Sequence, residues 1–268
     1  MSENNLNLEG NKELDKKYLI FSLKSEKYAF SIKNIKEIII KPSVNFVPNL
    51  PPFYLGMTKL RNDILPIISL RKRLKYETIE EENEKLKAML KQREEDHLNW
   101  VDTLENSIKN DTEFRLQRDP HLCTFGKWYY SYKPDSYAMF AILKKFEEPH
   151  TLVHKLADEA IQIRKERGID EAIKYITRAR ETVVRQMLNI FQEVYVALDN
   201  KSRETCIVFI DPNGKQYGFV VDNIDKIIEI SPEQIEVPTE HNEFSEYLIG
   251  IGKLQDDFYL IFDETKLI

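Results

Sequence analysis

Side chains that can bind a soft metal ion are concentrated in one stretch of the chain. Four of the five histidines and one of the two cysteines lie there: His97, His121, Cys123, His150 and His154. Neutral imidazoles and a thiolate suit Zn²⁺, which takes four nitrogen or sulfur ligands in tetrahedral geometry. The stretch therefore predicts a zinc site in the middle of the chain.

The spacing of these residues indicates that helices carry them. His150 and His154 are four residues apart, so on a helix both rings leave the same face. That face continues into Ala157 and Ile161, which indicates that it points into a helical bundle. His97 lies on the apolar stripe of a different helix, and bundle cores commonly build metal sites from facing helices.

A structural interpretation fits each residue taken alone. A buried histidine can be a hydrogen-bonded core residue, and Cys123 can be a small buried hydrophobic side chain. Three inward histidines together with a cysteine favour the metal. His121 is a spare candidate, but its position beside Pro120 predicts exposure to solvent. We assign no role to His241 or Cys206.

Composition limits the class of protein. The 268 residues are 42% hydrophobic and 31% charged, enough for one large domain or two ordinary ones. A net charge of −6 gives no electrostatic reason to bind nucleic acid or anionic lipid. The sequence shows no signal peptide, membrane span or disulfide framework. We expect a soluble cytoplasmic protein with reduced thiols and no direct membrane insertion.

Two regions with the character of β-strands flank a helical region. Residues 18–70 and 203–268 contain short runs of β-branched and aromatic residues, whereas the apolar period is helical from about 77 to 200. The strand regions also align without gaps in two blocks. Tyr28, Phe30, Asn34, Ile35, Ile38 and Ile39 align on Tyr217, Phe219, Asn223, Ile224, Ile227 and Ile228; Gly56, Lys59, Leu60, Asp63 and Ile67 align on Gly250, Lys253, Leu254, Asp257 and Ile261.

A repeated strand unit implies two similar small β-domains, unless the similarity is a coincidence among apolar strands. We expect closed barrels, because closure removes exposed strand edges. Between them, two long helices present apolar stripes, and Gly168 marks a helix end. The first stripe is Leu90, His97, Val101, Leu104 and Ile108; the second is Ala172, Ile176, Ala179, Val183, Met187, Ile190 and Val194.

The central region resembles the chemoreceptor zinc-binding (CZB) domain over roughly residues 90–165. The resemblance lies in His97 with Trp100, then Cys123-x-Phe125-Gly-Lys-Trp128-Tyr-Tyr, then His150-x-x-x-His154. It implies a site of three histidines and one cysteine for Zn²⁺, with His97, Cys123, His150 and His154 as the ligands. We expect Trp100, Phe125 and Trp128 to pack around this site.

The flanking regions resemble the two halves of a CheW-like domain. The first half is carried by Tyr28-Ala-Phe-Ser-Ile, the segment from Pro48 to Gly56 and Leu65-Pro-Ile-Ile-Ser-Leu; the second half by Tyr217-Gly-Phe-Val-Val-Asp-Asn-Ile, Tyr247-Leu-Ile-Gly and Ile261-Phe-Asp. The family's fold is a pair of intertwined β-barrels. Two departures weaken the transfer of partner contacts: Leu60-Arg61-Asn62 stands where Leu-Arg-Gly is usual, and Ser69 replaces an aspartate.

These patterns predict an α+β fold, in which two small β-barrels of a CheW-like scaffold carry an inserted all-α zinc-binding bundle. The predicted boundaries are 1–16 for a disordered tail, 17–76 and 201–268 for the two scaffold halves, and 77–200 for the insert with its helical linkers. Pairing of the insert with a second copy, as a homodimer, is left open by the residue pattern.

The resemblance to CheW-like proteins implies an adaptor that couples chemoreceptors (methyl-accepting chemotaxis proteins) to the CheA histidine kinase. We expect no enzymatic activity, because the chain has no phosphate-binding loop, nucleophile elbow or kinase motif. Arg61 matches a step near the family's receptor-binding surface, although a solvated arginine at a strand end explains it almost as well. The CZB resemblance implies that the insert senses zinc or oxidants such as hypochlorous acid, with Cys123 as the reactive ligand.

Two other functions fit the same ligands. The zinc could be purely structural. Alternatively, three histidines could hold a catalytic zinc with Glu148 or Asp158 as a base, but a cysteine in the fourth place leaves no open position for water.

Overall fold

Strands from both ends of the chain build one β-rich unit. The first half contributes β1 (Lys17–Leu23), β2 (Glu26–Ser31), β3 (Ile35–Ile40), β4 (Tyr54–Leu60) and β5 (Asp63–Ser69), followed by the helical turn α1 (Leu70–Arg73). The second half contributes β6 (Thr205–Ile210), β7 (Gln216–Val221), β8 (Asn223–Glu229), β9 (Ile235–Glu236), β10 (Leu248–Leu254) and β11 (Asp257–Phe262). The predicted α+β class is confirmed.

The computed structural model describes residues 16–134, 136–199, 204–237 and 244–268. The predicted N-terminal tail, except for residue 16, and His241 lie outside these ranges. The described residues form two compact units, one built from those up to Thr78 and those from Glu204 onwards, the other from those between Ile79 and Asp199. Within the described ranges, no helix is both long and apolar enough to cross a membrane.

The two halves exchange strands. One sheet has the order β8-β1-β2-β11-β10-β9 and the other β3-β6-β7-β5-β4, so each sheet contains strands from both ends of the chain. Both sheets are mixed, with one parallel pair each, β2 with β11 and β5 with β7. Among the described residues, no strand pairing joins the two edge strands of either sheet. Closure of the sheets into barrels therefore stays a prediction.

The registers confirm the internal duplication. Ile67 pairs with Gly218, and the aligned residues Ile261 and Ala29 pair in the same way. A bulge at Lys36 in β3 recurs at Asp225 in β8, and a bulge at Leu55 in β4 recurs at Ile249 in β10. Bulges of this kind bend and twist a strand, so the sequence repeat extends to the irregularities of both sheets.

The second unit is a bundle of helices. In chain order these are α2 (Ile79–Asn110), α3 (Thr124–Ser131), α4 (Tyr137–Leu143), α5 (Glu147–Arg167), α6 (Ile169–Ala179) and α7 (Arg185–Asp199). Gly168 separates α5 from α6 with a φ of 93°, a conformation that favours glycine. The predicted stripe of the first long helix is confirmed, since all five of its residues are buried.

The second stripe was predicted correctly except at one position. Ala172, Ile176 and Ala179 are buried, but the next buried residue is Val184, and the predicted Val183 is only half-buried. A π-helical turn at Arg180–Val184 causes this shift. Such a turn adds one residue to the helical repeat, so the apolar stripe resumes five residues later instead of four.

Candidate metal centre

Four side chains from three helical segments converge inside the bundle. Each of His97, Cys123, His150 and His154 offers one ligand atom, and these atoms all lie within 4.8 Å of one another. The three histidines are buried, and Cys123 is partly exposed. The structure thus brings together the four residues that the sequence predicts as ligands.

The orientation of His97 is set by its own helix. Its Nδ1 lies 2.7 Å from the backbone carbonyl oxygen of Arg93, one turn earlier in α2. A ring nitrogen that donates to a carbonyl leaves the other nitrogen free as a metal ligand. The remaining nitrogen, Nε2, is buried and has no hydrogen-bond partner among the described residues.

Cys123 is placed at the N-terminus of α3. Its Sγ accepts a hydrogen bond from the backbone N–H of Gly126 at 3.1 Å and lies 3.3 Å from Nε2 of His150. Gly126 is required here because a Cβ would come within 1.8 Å of the Pro120 carbonyl oxygen. That same carbonyl oxygen lies 3.3 Å from Sγ. The Phe-Gly step of the motif therefore lets the chain fold back tightly over the thiol.

The imidazoles have few partners of their own. Nδ1 of His150 and both ring nitrogens of His154 are buried without a hydrogen bond to any residue that the structure describes. The carbonyl oxygen of Gln117 favours the charged form of His154, but it makes no hydrogen bond of normal geometry with the ring. Buried polar atoms are almost always paired. Unpaired nitrogens that face a shared point alongside a thiol fit a metal ion as the missing partner.

Burial also keeps these groups uncharged. It lowers the pKa of His150 to about 3 and that of His154 to about 4, with a smaller contribution from the neighbouring His97 in both. Burial likewise lowers the pKa of His97 and raises that of the Cys123 thiol. The imidazoles are therefore in the neutral form that binds metals. The thiolate needs a further positive charge, which a bound metal ion would supply.

Aromatic rings surround the four residues. Phe125 meets His150 and His97 edge-on, at centroid distances of 4.9 and 5.6 Å. Trp100 meets His154 at 5.2 Å and donates its Nε1–H to the Gln117 carbonyl oxygen at 2.8 Å. Trp128 lies behind Phe125, with the ring centroids 5.7 Å apart. Trp100 and Phe125 thus contact the histidines, whereas Trp128 supports Phe125.

A cleft of about 350 Å³ reaches the site from the surface of the bundle. Cys123, His97 and His154 line it, together with Trp100, Leu116 and Leu122. A small solute can therefore approach the sulfur.

The other candidates lie at the surface. His121 is exposed, its Nδ1 is 3.1 Å from a carboxylate oxygen of Asp119, and its ring stacks on Tyr130. Glu148 is exposed, and Asp158 is paired with Arg118 at 2.8 Å. None of these side chains is among the four converging residues.

Comparison with protein-family models places both regions. The model of the CheW-like domain matches residues 17–109 and 179–268, more than half of the chain. The chain belongs to the CheW-like family. The model of the chemoreceptor zinc-binding domain matches residues 97–161, which overlap the end of the first CheW-like segment and finish before the second begins. Both predicted resemblances are confirmed.

Several proteins are similar to parts of this CheW-like chain. Chemotaxis protein CheW of Klebsiella aerogenes is 43% identical over 54 residues, covering 20% of this chain and 32% of that protein. Chemotaxis protein CheW of Bacillus subtilis is 34% identical over 68 residues, covering 24% and 44%. The chain thus spans less than half the length of these curated relatives. The solved structure of the scaffolding protein TtCheW from Thermoanaerobacter tengcongensis is 16% identical in sequence to this chain. The match covers 93% of this chain and 89% of TtCheW, with a TM-score of 0.44.

In the CheW-like unit, Arg61 lies in the turn between β4 and β5 with a φ of 56°. Its side chain is 72% exposed and its Nη2 lies 3.0 Å from a carboxylate oxygen of Glu37. Ser69 caps α1 by accepting from the N–H of Lys72, and the aligned Asp263 caps the turn after β11 similarly. The replacement of aspartate at Ser69 therefore keeps the local cap.

Sequence reasoning missed Arg93, whose carbonyl orients His97. The i, i+4 spacing between the two residues was visible, but a backbone acceptor leaves no signature in residue types. The cleft was also missed, because its wall at Leu116 and Leu122 comes from a loop without periodicity.

Proposed function

We propose that the chain is a chemotaxis adaptor whose inserted helical module, residues 77–200, binds Zn²⁺ and responds to oxidants. The CheW-like halves, 17–76 and 201–268, would couple chemoreceptors to the CheA histidine kinase, as the resemblance to chemotaxis adaptors suggests. Arg61 is a candidate contact in an exposed turn. We propose no enzymatic activity and place the protein in the cytoplasm with these partners.

The observation that carries the proposal is the partly exposed Cys123 among three buried histidines, in the lining of an open cleft. His97, Cys123, His150 and His154 would hold the ion. Bound zinc would keep Cys123 as a thiolate, the nucleophilic and oxidisable form of cysteine. Without it, burial raises the pKa of the thiol, so reactivity would depend on metal occupancy.

Oxidation would then weaken the site. The sulfur gives up two electrons and becomes a sulfenic acid, a poorer ligand than the thiolate. Phe125 follows Cys123 by two residues and meets two of the histidines edge-on. A displaced sulfur would therefore disturb the packing of the bundle core, and loss of a bound ligand lowers the stability of the state that binds it.

The first test is zinc stoichiometry by native mass spectrometry on untagged protein, before and after a mild dose of hypochlorous acid. We expect one zinc per chain, released by the oxidant. Cys123→Ser should abolish the oxidant response, whereas Cys206→Ala, which removes the buried cysteine in β6, should retain it. An adaptor role predicts that CheA activity, in arrays reconstituted with a chemoreceptor, changes on oxidation of the parent and not of Cys123→Ser.

Other outcomes identify the alternatives. If zinc stays bound at doses of hypochlorous acid that oxidise the exposed thiol of a reference compound, the zinc is structural. Zinc-dependent turnover of a hydrolysable substrate that survives in Cys123→Ser would indicate a hydrolase. Protein without metal would overturn the ligand assignment.

A further inference from the structure

A buried arginine of the β-rich unit bonds to the chain just before the first helix of the insert. Arg71, in α1, is only 5% exposed, and its Nη1 donates to the backbone carbonyl oxygen of Glu77 at 2.9 Å. Helix α2 begins two residues later, at Ile79. The same guanidinium donates through Nε and Nη2 to the carboxylate of Asp222, at 2.7 and 2.6 Å. Arg71 therefore links the start of the insert to the junction between β7 and β8.

The carboxylate of Asp222 also holds a strand turn. Its Oδ2 accepts the backbone N–H of Lys24 at 2.7 Å, and the backbone N–H of Asp222 donates to the carbonyl oxygen of Ser22 at 3.3 Å. Lys24 lies between β1 and β2 with a φ of 55°, a conformation that few residues with a side chain adopt. Such a conformation persists only where the surroundings fix it. The group that Arg71 holds thus helps to fix the β1–β2 turn.

Only one half of the duplicated unit contains this ion pair. The two gapless blocks place Lys33 at the position of Asp222 and, extended by four residues, Thr265 at the position of Arg71. A lysine and a threonine cannot form the pair, and the hydroxyl of Thr265 donates instead to Asp263 at 2.6 Å. The duplication repeats bulges and a turn cap but not this pair. Its presence in the half that continues into α2 indicates a role in that connection.

Helix α2 connects the carbonyl of Glu77 to the metal centre. It is one continuous helix, Ile79–Asn110, and it carries His97. At about 1.5 Å per residue, His97 lies roughly 27 Å along the axis from the first residue of the helix. The first turns belong to the bundle, because Asn83 Nδ2 donates to the carbonyl oxygen of Leu198 at the end of α7, at 3.1 Å. A change in the bundle that shifts α2 therefore acts on the Glu77 carbonyl, since one residue separates it from the helix.

We propose that Arg71 passes a change in the bundle to the β-rich unit. This inference rests on the proposed loss of zinc. When the carbonyl of Glu77 is displaced, Nη1 loses this acceptor inside the unit, and a buried donor without its acceptor is costly. The guanidinium follows the carbonyl, its two bonds to Asp222 weaken, and the turn at Lys24 loosens. Arg71 is a positioning residue, because it acts through Asp222.

The test is hydrogen exchange, measured by mass spectrometry on the full chain with zinc bound and after chelation. In the parent, we expect residues 22–27, which cover the β1–β2 turn, to exchange about tenfold faster without zinc, the effect of losing one hydrogen bond to a charged group. The β10–β11 turn at Gln255 is the internal reference and should exchange equally in both states.

Arg71→Lys tests the arginine itself. Lysine keeps a charge for Asp222, but its ammonium cannot replace a planar fork that serves a carboxylate and a carbonyl together. The zinc-dependent difference at the β1–β2 turn should disappear. Arg73→Lys is the matched control, because Arg73 lies in the same α1 and donates to the carbonyl oxygens of Leu267 and Lys266, at 3.0 and 3.2 Å. This variant should keep the difference seen in the parent.

A second variant changes the connection and keeps the arginine. Two glycines inserted between Thr78 and Ile79 leave Arg71 and its partners unchanged but make the link to α2 flexible, so the difference should fall towards zero. A difference of the parent's size in Arg71→Lys or in the insertion variant overturns the role of Arg71. A parent that binds zinc but shows no difference at the turn overturns this inference and leaves the proposed function standing. A parent that binds no zinc overturns both.

Discussion

The β-rich unit and the helical bundle treat their buried polar groups differently. In the β-rich unit, Arg71 donates through Nε and Nη2 to the two carboxylate oxygens of Asp222, at 2.7 and 2.6 Å. Asp222 also accepts the backbone N–H of Lys24 at 2.7 Å. In the bundle, both ring nitrogens of the buried His154 lack a hydrogen-bond partner within the described part of the chain.

The unpaired polar atoms described in the β-rich unit belong to side chains that make a hydrogen bond through their other polar atom. Glu37 and Gln216 each bury one oxygen without a partner in the described ranges, but the other polar atom of each side chain is hydrogen-bonded, to Arg61 and Asp63 respectively. The β-rich unit thus satisfies its buried charges with its own atoms. In the bundle, the three buried histidines bring their unpaired ring nitrogens to one point, which is what a site for an external ion requires.

The largest effect is expected in the β-rich unit, from Asp222→Ala. The substitution would remove the carboxylate that neutralises the buried Arg71, and breaking a buried ion pair costs about 3–5 kcal/mol. Urea unfolding followed by hydrogen exchange should show this loss in the β-rich unit, with zinc stoichiometry unchanged. Asp225→Ala is the control, because Asp225 is exposed and accepts a long hydrogen bond, at 3.5 Å, from Ser22. Equal losses in the two variants would contradict the contrast between the units.

The next largest effect is expected in the bundle, where the substitution should raise the free energy of unfolding of the metal-free protein. His154→Leu removes two unpaired nitrogens and fills a similar volume, so the metal-free bundle should gain about 3 kcal/mol in free energy of unfolding. The same variant should lose most of its zinc affinity. Chelated parent and variant are compared by urea denaturation, and zinc binding by competition. A less stable metal-free variant would show that His154 is a satisfied core residue.

How far the sequence predicted this molecule depends on the kind of pattern. The convergence of His97, His150 and His154 followed from helical spacing and apolar stripes, which constrain where a side chain points before any tertiary structure is known. The β duplication was visible for a similar reason, because aligned residue types such as Gly56 and Gly250 recur in the same order. In the structure, each of these glycines follows an equivalent bulge. Residue types carried both signals.

Contacts made by the backbone could not be predicted. The carbonyl of Arg93 that orients His97, and the carbonyl of Pro120 that excludes a side chain at Gly126, have no residue-type signature. The exchange of strands between the sheets is also a property of pairing, which local patterns do not contain. It entered the prediction only through the family resemblance.

The π-helical turn is the remaining difference from the predicted apolar stripe. It is also a second contrast between the β-rich unit and the bundle. The β-rich unit repeats its described β-bulges in its other half, whereas the bundle shifts its register at Arg180–Val184, which has no counterpart in an internal repeat. A strict helical repeat puts Val183 in the core. The structure instead leaves Val184 2% exposed and Val183 half-buried at the edge of the apolar cluster.

The smallest expected effect on stability is that of alanine substitutions at Val183 and Val184. They distinguish a helix with the π-helical turn from an uninterrupted helix. Val184→Ala should cost about 2 kcal/mol, because it removes two buried methyl groups and leaves a cavity. Val183→Ala should cost less than about 1 kcal/mol, since its side chain is already partly in solvent. Both are measured by urea unfolding of the zinc-loaded protein, and neither should alter zinc stoichiometry. The reverse order would mean that the helix continues without the extra residue, because only an uninterrupted repeat carries Val183 into the core.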